Sequence, residues 1–221
     1  MGAGGSAREA EERAQFLLRL RARGVGDLPL LRAMELTPRS LFLPQRFADI
    51  AARDIALPIG CGQTSTPPST LALMIEALQL REGLSTLEVG TGSGYATALL
   101  SHMGARIVTV ERCQTLALEA GSRLEAFGLK GIDIRQADGL ALGRIGGFDR
   151  ILAHGLVEPP VEELTRLIAP GGMLVAGIAG DAKGEQRILK LTRPQRGDLE
   201  ARTLVAIRAL TALERGLAKA L

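Results

Sequence analysis

The sequence predicts an α/β protein: a doubly wound, mostly parallel sheet of seven strands with a helical extension at its N-terminus. Three observations carry this reading. Residues 86–89 form a short strand-like run that passes directly into glycines at positions 90, 92 and 94, and a helical pattern follows. From there on, short apolar runs alternate with helical periodicity, the signature of βαβ units whose parallel strands are covered on both faces. The chain has 221 residues, 46% of them hydrophobic and 23% charged, enough to bury one such domain.

The elements follow in order. Ala7 to Arg23 reads as an amphipathic helix on Ala14, Leu17, Leu18 and Val25, stopped by Gly24 and Gly26. Met1 to Ser6 is Gly/Ala-rich and is expected to be disordered at its start. A second helix, Leu28 to Leu36, ends before Pro38, because a residue preceding proline disfavours the α region. Ser40 to Pro44 reads as a turn, residues 45–57 give no clear pattern, and residues 58–68 are rich in Pro, Gly, Ser and Thr, hence a loop. Ser69 is the expected N-cap of a helix from Thr70 to Leu80, with Gly83 past its end. Strand Thr86–Val89, helix Tyr95–Met103, strand Ile107–Glu111, helix Thr115–Phe127 and strands Ile132–Gln136 and Phe148–Ala153 come next. Pro159 and Pro160 open a helix through Ile168. Pro170–Gly172 is a tight turn before strand Met173–Ile178. Gln186–Thr192 and Arg202–Ala209 complete the strands, and Leu210 to Leu221 reads as a terminal helix. The chain thus divides into a helical segment with a loop, 1–68, and a sheet domain, 69–221, expected to form one unit.

Composition excludes several classes. Aromatic residues are 3% of the chain and Trp is absent, so Ala, Leu, Val and Ile build the core and a base-stacking surface for nucleic acid is not expected. The net charge of +3 is mild; the basic residues near the C-terminus read as a solvated face before they read as a footprint for an acidic partner. Cys61 and Cys113 lie far apart in sequence and in no metal-ligand spacing, so neither a metal site nor a disulfide framework is expected, and both read as small buried or half-buried fillers before they read as reactive thiols. No apolar run is long enough to span a membrane and residues 1–15 hold no secretory apolar core, which makes the cytoplasm the default location.

The glycine turn carries the chemistry. It lets a backbone approach a ligand closely, and the helix behind it offers unpaired N–H groups. Its spacing is G-x-G-x-G with Glu88 two residues ahead, which argues against the G-x-G-x-x-G of a dinucleotide site. Glu111 closes the next strand about 20 residues on, where an acid pairs with ribose hydroxyls and argues against a 2′-phosphate. Asp138-Gly139, past the third strand, is placed to meet an adenine amino group. Alone, each of these is more often a tight connection, a surface acid or a turn; together, in order, they mark one sheet edge. Glu88 within a strand needs a partner if buried, and a sulfonium ligand with an α-amino group would suit it. The combination resembles the Rossmann-like class I S-adenosylmethionine-dependent methyltransferases, whose motif is hydrophobic-(D/E)-x-G-x-G-x-G. That resemblance implies S-adenosyl-L-methionine as cofactor, held by Glu88, Gly90, Thr91, Gly92, Ser93, Gly94, Tyr95, Glu111, Arg112, Asp138 and Gly139.

Leu57 to Pro68 narrows the family. It resembles the P-I-G-x-G-Q-T-I-S-x-P loop of the protein-L-isoaspartate O-methyltransferases. Leu87–Tyr95, Thr109–Arg112, Asp138-Gly139, Phe148–Ile151 and Leu167–Leu174 are similar to further motifs of that family, over roughly residues 28 to 190. The resemblance implies methyl transfer to the α-carboxylate of isoaspartyl residues in damaged proteins or peptides, as a repair step, with neither membrane nor nucleic acid as partner. It places Gln63, Thr64 and Ser65 at the methionine end of the cofactor and Thr66 where the family has its active-site serine. Three departures stand out: Thr66 for that serine with Ser65 for an isoleucine; Ala153–Pro160 for a T-A-A-A-x-x-(I/V)-P segment, with His154 either a base or, more readily, a hydrogen-bonded structural residue; and a reduced C-terminal strand. They leave open a different acceptor (a small molecule or RNA), or a protein that holds the cofactor with little turnover.

Overall fold

The computed structural model describes residues 3–143, 145–159, 161–180, 182, 184–207 and 210–219, with the backbone alone for 3–10 and 12. Helices α1 (Ala3–Ala22) and α2 (Leu28–Leu36) are followed by two 3-10 turns, Arg39–Phe42 and Gln45–Ile50. A two-residue hairpin, β1 (Leu57–Pro58) with β2 (Thr64–Ser65), leads into α3 (Pro68–Ala77). The alternating part comprises β3 (Ser85–Val89), α4 (Tyr95–His102), β4 (Arg106–Glu111), α5 (Gln114–Ala126), β5 (Asp133–Gln136), β6 (Phe148–Val157), α6 (Glu162–Thr165), β7 (Ile168–Ala179), β8 (Gln186–Thr192) and β9 (Glu200–Ile207).

Seven strands pair in the order β5-β4-β3-β6-β7-β8-β9. The five from β5 to β7 are parallel, and β8 and β9 add antiparallel at one edge, as the strand pattern predicts. The order reverses between β3 and β6, which places a crevice beyond their carboxyl ends. β3 is buried on both faces: Thr86, Leu87 and Glu88 are each fully buried, as expected for the centre of a doubly covered sheet. One hydrophobic cluster joins α1 to α4 with one face of the sheet, through Leu20, Leu30, Phe42, Ile75 and Leu99; the other gathers Leu87, Ile151, Leu174 and Leu164 on the opposite face.

Several elements differ from expectation, each for a local reason. α1 starts at Ala3 rather than Ala7, and Met1 and Gly2 lie outside the described residues. Its buried face is Phe16 and Leu20, one helical turn apart, while Ala14 and Leu18 face solvent. α3 starts at Pro68, where a missing N–H costs nothing. Ser69 is therefore not a cap; its amide and hydroxyl bind the Asp54 carboxylate at 2.8 and 2.7 Å. The helix expected over residues 159–168 shrinks to α6, with Pro160 outside the described residues, because Ile168 already pairs with Phe148 in the sheet. The Pro170–Gly172 turn is absorbed into β7 as an irregularity between the Phe148 and Arg150 pairings. β6 runs four residues beyond Ala153 through a bulge at His154-Gly155.

The terminal helix is absent. Residues 210–219 form an extended strap, with Arg208, Ala209, Ala220 and Leu221 outside the described residues. Leu210 is buried, the Leu156 amide donates to Thr211 O, and Leu213 and Ala218 donate to Leu156 O and Arg112 O. These backbone partners compete with helix formation, and Gly216, at φ +78°, turns the chain where a helix would continue.

Candidate active site

The glycine turn sits at the carboxyl end of β3. Gly90, Gly92 and Gly94 have φ of +91°, +54° and +87°, a left-handed region open to glycine at little cost. Gly90 and Thr91 donate their amides to Val110 O, and Gly92 donates to Glu111 Oε2 at 2.9 Å. Glu111 Oε1 accepts from the Cys113 amide at 2.9 Å. One carboxylate thus ties the turn to the first residues after β4 while still lining the cleft. Gly139 serves close approach: a Cβ there would lie 2.3 Å from Val89 Cγ1. Only a bare backbone lets the chain after β5 close this wall.

Glu88 lies behind the turn. It is fully buried, Oε2 accepts from the hydroxyls of Thr97 and Thr109 at 2.6 and 2.8 Å, and Oε1 is 2.9 Å from His154 Nε2. Its partners are therefore these three side chains. The β6 bulge makes the His154 contact, since an extra residue re-aims a side chain at a strand end. His154 lines the cleft.

The loop from Ile59 to Thr66 forms the facing wall. Ile59 N donates to Gln63 O and Gln63 N to Gly60 O, closing a tight turn. The loop is held from below by Arg39, which is 5% exposed and donates to Ala51 O, Ile55 O, Ser65 Oγ and Thr66 O at 3.1, 3.2, 3.1 and 3.2 Å. Burial lowers the Arg39 pKa to about 10, still charged at neutral pH. Tyr95 is buried beside it against Phe42, and burial pushes its phenol well above the ordinary value. Cys61, at the loop tip, forms a disulfide with Cys113, at Cα–Cα 6.8 Å. The cysteines are not independent fillers: 52 residues of sequence separation are spanned because the loop packs against the start of α5, just after β4.

Between these walls lies a cleft of about 810 Å³, counting the space open to solvent. It brings together Gln63, Thr64, Thr66, Gly90, Gly92, Glu111, Arg112 and Gly139. A smaller pocket beside it shares Thr64, Thr66, Gly90, Gly92 and His154, and adds Ser65, Thr91, Ser93 and Tyr95. Gly94 stands behind the turn as N-cap of α4. Glu88 and Asp138 do not line either space. The Asp138 carboxylate accepts from the amides of Leu140 and Gly216 at 2.9 and 2.7 Å, pinning the strap. Arg112 also holds the strap, through Glu214 at 2.5 Å and Gly216 O at 2.9 Å.

Sequence reasoning missed four things here: Arg39, the His154 contact to Glu88, the strap residues Thr211 to Glu214 that roof the cleft, and the cysteine pair. An acid inside a strand with a histidine one strand over was a usable signal for the second. The others depend on chain reversals that no local pattern announces.

The donor set suits an adenosyl ligand with an amino-acid tail. Val89, Val110, Leu116 and Leu140 give an apolar slot, Glu111 an acceptor for hydroxyls, and the turn a bare backbone. The sheet order and this cleft define a class I S-adenosylmethionine-dependent methyltransferase. A family model for protein-L-isoaspartate(D-aspartate) O-methyltransferase matches residues 11–216, and the chain belongs to that family. It is 41% identical over 201 residues to the protein-L-isoaspartate O-methyltransferase of Azorhizobium caulinodans, covering 90% of this chain and 92% of the relative. To that of Xanthobacter autotrophicus it is 42% identical over 198 residues, covering 89% and 90%. Among solved structures, a protein-L-isoaspartate O-methyltransferase superposes with TM-score 0.77 at 25% identity, covering 90% of this chain and 65% of the other. A Plasmodium falciparum structure, in complex with S-adenosyl-L-homocysteine, superposes with TM-score 0.78 at 22% identity, covering 90% and 97%, and supports the fold.

Proposed function

We propose that the chain methylates the α-carboxylate of L-isoaspartyl residues in damaged proteins and peptides, with Thr66 as the hydroxyl that meets the acceptor. The observation that supports this is that Thr66 lines both the cofactor cleft and the smaller pocket beside the glycine turn, as Ile59, Thr64, Gly90, Gly92 and His154 also do, and among these it is the residue at the position of the family's active-site serine.

The cofactor supplies an electrophilic methyl on a sulfonium sulfur. The acceptor carboxylate is already ionised at neutral pH, so no strong base is required. What remains for this chain is alignment and exclusion of water. Val89, Val110, Leu116 and Leu140 would take the adenine, Glu111 the ribose, and Gln63, Thr64 and the turn amides the amino-acid end. Thr66 Oγ–H would donate to one acceptor oxygen and leave the other free to attack. Arg39 is a positioning residue, acting through the carbonyls of the loop.

The test is incubation with labelled S-adenosyl-L-methionine and an isoaspartyl peptide beside its aspartyl twin. Base-labile methyl ester forms on the first alone. Equal labelling of both peptides, or none, removes the acceptor assignment. The departures at residues 65, 66 and 153–160 motivate a second arm with RNA and small carboxylates; labelling there would move the acceptor class and leave the cofactor assignment intact.

A further inference from the structure

We propose that Cys61 and Cys113 form a redox site at the mouth of the cofactor cleft. Its reaction partners are low-molecular-weight disulfides and thiols, and its oxidised state fastens the loop over the bound cofactor and slows exchange.

The positions of the two residues make the case. Cys61 sits at the tip of the loop whose members Ile59, Gln63 and Thr64 form one wall. Cys113 is the N-cap residue of α5, two positions after Glu111 on the other wall, and its amide is held by the Glu111 carboxylate. The bond joining them ties the loop of one wall to the start of α5 beside the other, and neither cysteine lines the cleft itself. Behind Cys113, the strap pairs with the same stretch through Ala218. The stretch after β4 is thus tied to the strap by hydrogen bonds and to the loop by a single covalent bond.

Accessibility sets the order of the chemistry. Cys61 is half-buried, whereas Cys113 is 1% exposed. In the reduced protein the Cys61 thiolate attacks a small disulfide, forms a mixed disulfide and releases one thiolate. The Cys113 thiolate then attacks the Cys61 sulfur, forms the protein bond and expels the second. Two protein thiols are oxidised and one small disulfide is reduced to two thiols, the two protons lost by the cysteines being taken up by the two expelled thiolates. An excess of small thiol reverses both steps. Cys61 also has φ +56°, a conformation that non-glycine residues hold only when their surroundings fix it. Cutting the bond removes one such constraint and frees the turn.

The site rests on cofactor binding and not on the identity of the acceptor, so its test uses S-adenosyl-L-homocysteine release. The full chain is equilibrated with oxidised glutathione or with dithiothreitol, thiols are counted, and release is followed by stopped-flow displacement. The oxidised protein shows no free thiol and releases at least tenfold more slowly than the reduced protein. Cys61→Ser, at a half-buried turn, shows the reduced rate under both conditions; Cys113→Ser does the same if it folds. Two reactive thiols after the oxidising treatment, equal release rates in the two states, or a redox effect that persists in Cys61→Ser would each overturn the proposal. Failure of the isoaspartyl assay leaves all three readouts untouched.

Discussion

Thr66 is asked for one hydrogen bond, and its size can be measured. Thr66→Val keeps the volume and removes the hydroxyl. A hydrogen bond to a charged group is worth about 1.5–3 kcal/mol, so kcat/KM for an isoaspartyl peptide should fall by about 10- to 100-fold, while the affinity for S-adenosyl-L-homocysteine stays within about twofold. Thr66→Ser keeps the hydroxyl and removes a methyl that restricts χ1; it should match or exceed the parent. A Thr66→Val enzyme as active as the parent would take Thr66 out of the acceptor site. Its neighbour Ser65 illustrates how a polar substitution finds employment: where the family pattern has isoleucine, its hydroxyl accepts from Arg39. Sequence alone marked the departure at residue 65 without disclosing a guanidinium beneath it, because Arg39 lies 26 residues upstream on a 3-10 turn.

At the scale of elements, the β6 bulge and the strap depend on each other. A Cβ at Gly155 would fall 2.7 Å from Thr211 O, on a residue with φ +88°. Gly155→Ala should therefore displace the strap and weaken cofactor binding at least fivefold, with the far-ultraviolet dichroism of the sheet unchanged; calorimetric titration checks it. The opposite end of the same strand carries a pH-sensitive tie. The Ser85 hydroxyl, 2.6 Å from Asp149 Oδ2, and then the Ser85 amide hold the Asp149 carboxyl below its ordinary 3.8. A folded value below the unfolded one means stabilisation that is present above pH 3.8 and is lost as pH falls through the lower folded value. Urea midpoints of Asp149→Asn should lie below those of the parent at pH 7, and the gap should narrow at pH 3. A gap independent of pH would assign the tie to packing. The βαβ alternation and the glycine turn were legible because period and punctuation are local. The bulge, the absorbed Pro170–Gly172 turn and the strap were not, since each is fixed by a partner far along the chain: Ala176 and Gly177 for the bulge, Ile168 against Phe148 for the turn, and Leu156 and Arg112 for the strap.

Over the whole molecule, the cofactor cleft is assembled from stretches far apart in the chain, from Ile59 to Glu214. Its base is the reversal of strand order between β3 and β6, its facing wall comes from residues 59–66, and its roof from residues 211–214. Of these, only the base and the wall could be read in advance; residues 210–219 have helical composition and are extended because Leu156 and Arg112 offer them backbone partners. A chain ending at Ile207 should keep the sheet, lose the packing of Leu210 and Leu213, and lose about 3 kcal/mol of stability on the usual scale for burying leucine side chains. It should bind S-adenosyl-L-homocysteine at least tenfold more weakly. Thermal melts with and without ligand test both statements; an undiminished ligand-induced rise in Tm would show that the roof is dispensable.

Arg39 has a consequence for how this protein can diverge. Of the loop-side acceptors it holds, all but the Ser65 hydroxyl are main-chain carbonyls, those of Ala51, Arg53, Ile55, Ser65 and Thr66. A carbonyl is present whatever side chain the residue carries. The end of the loop that Arg39 reaches is therefore held largely by main-chain atoms of residues 65 and 66, and residue 66 can be exchanged against new acceptors without losing its bond to Arg39.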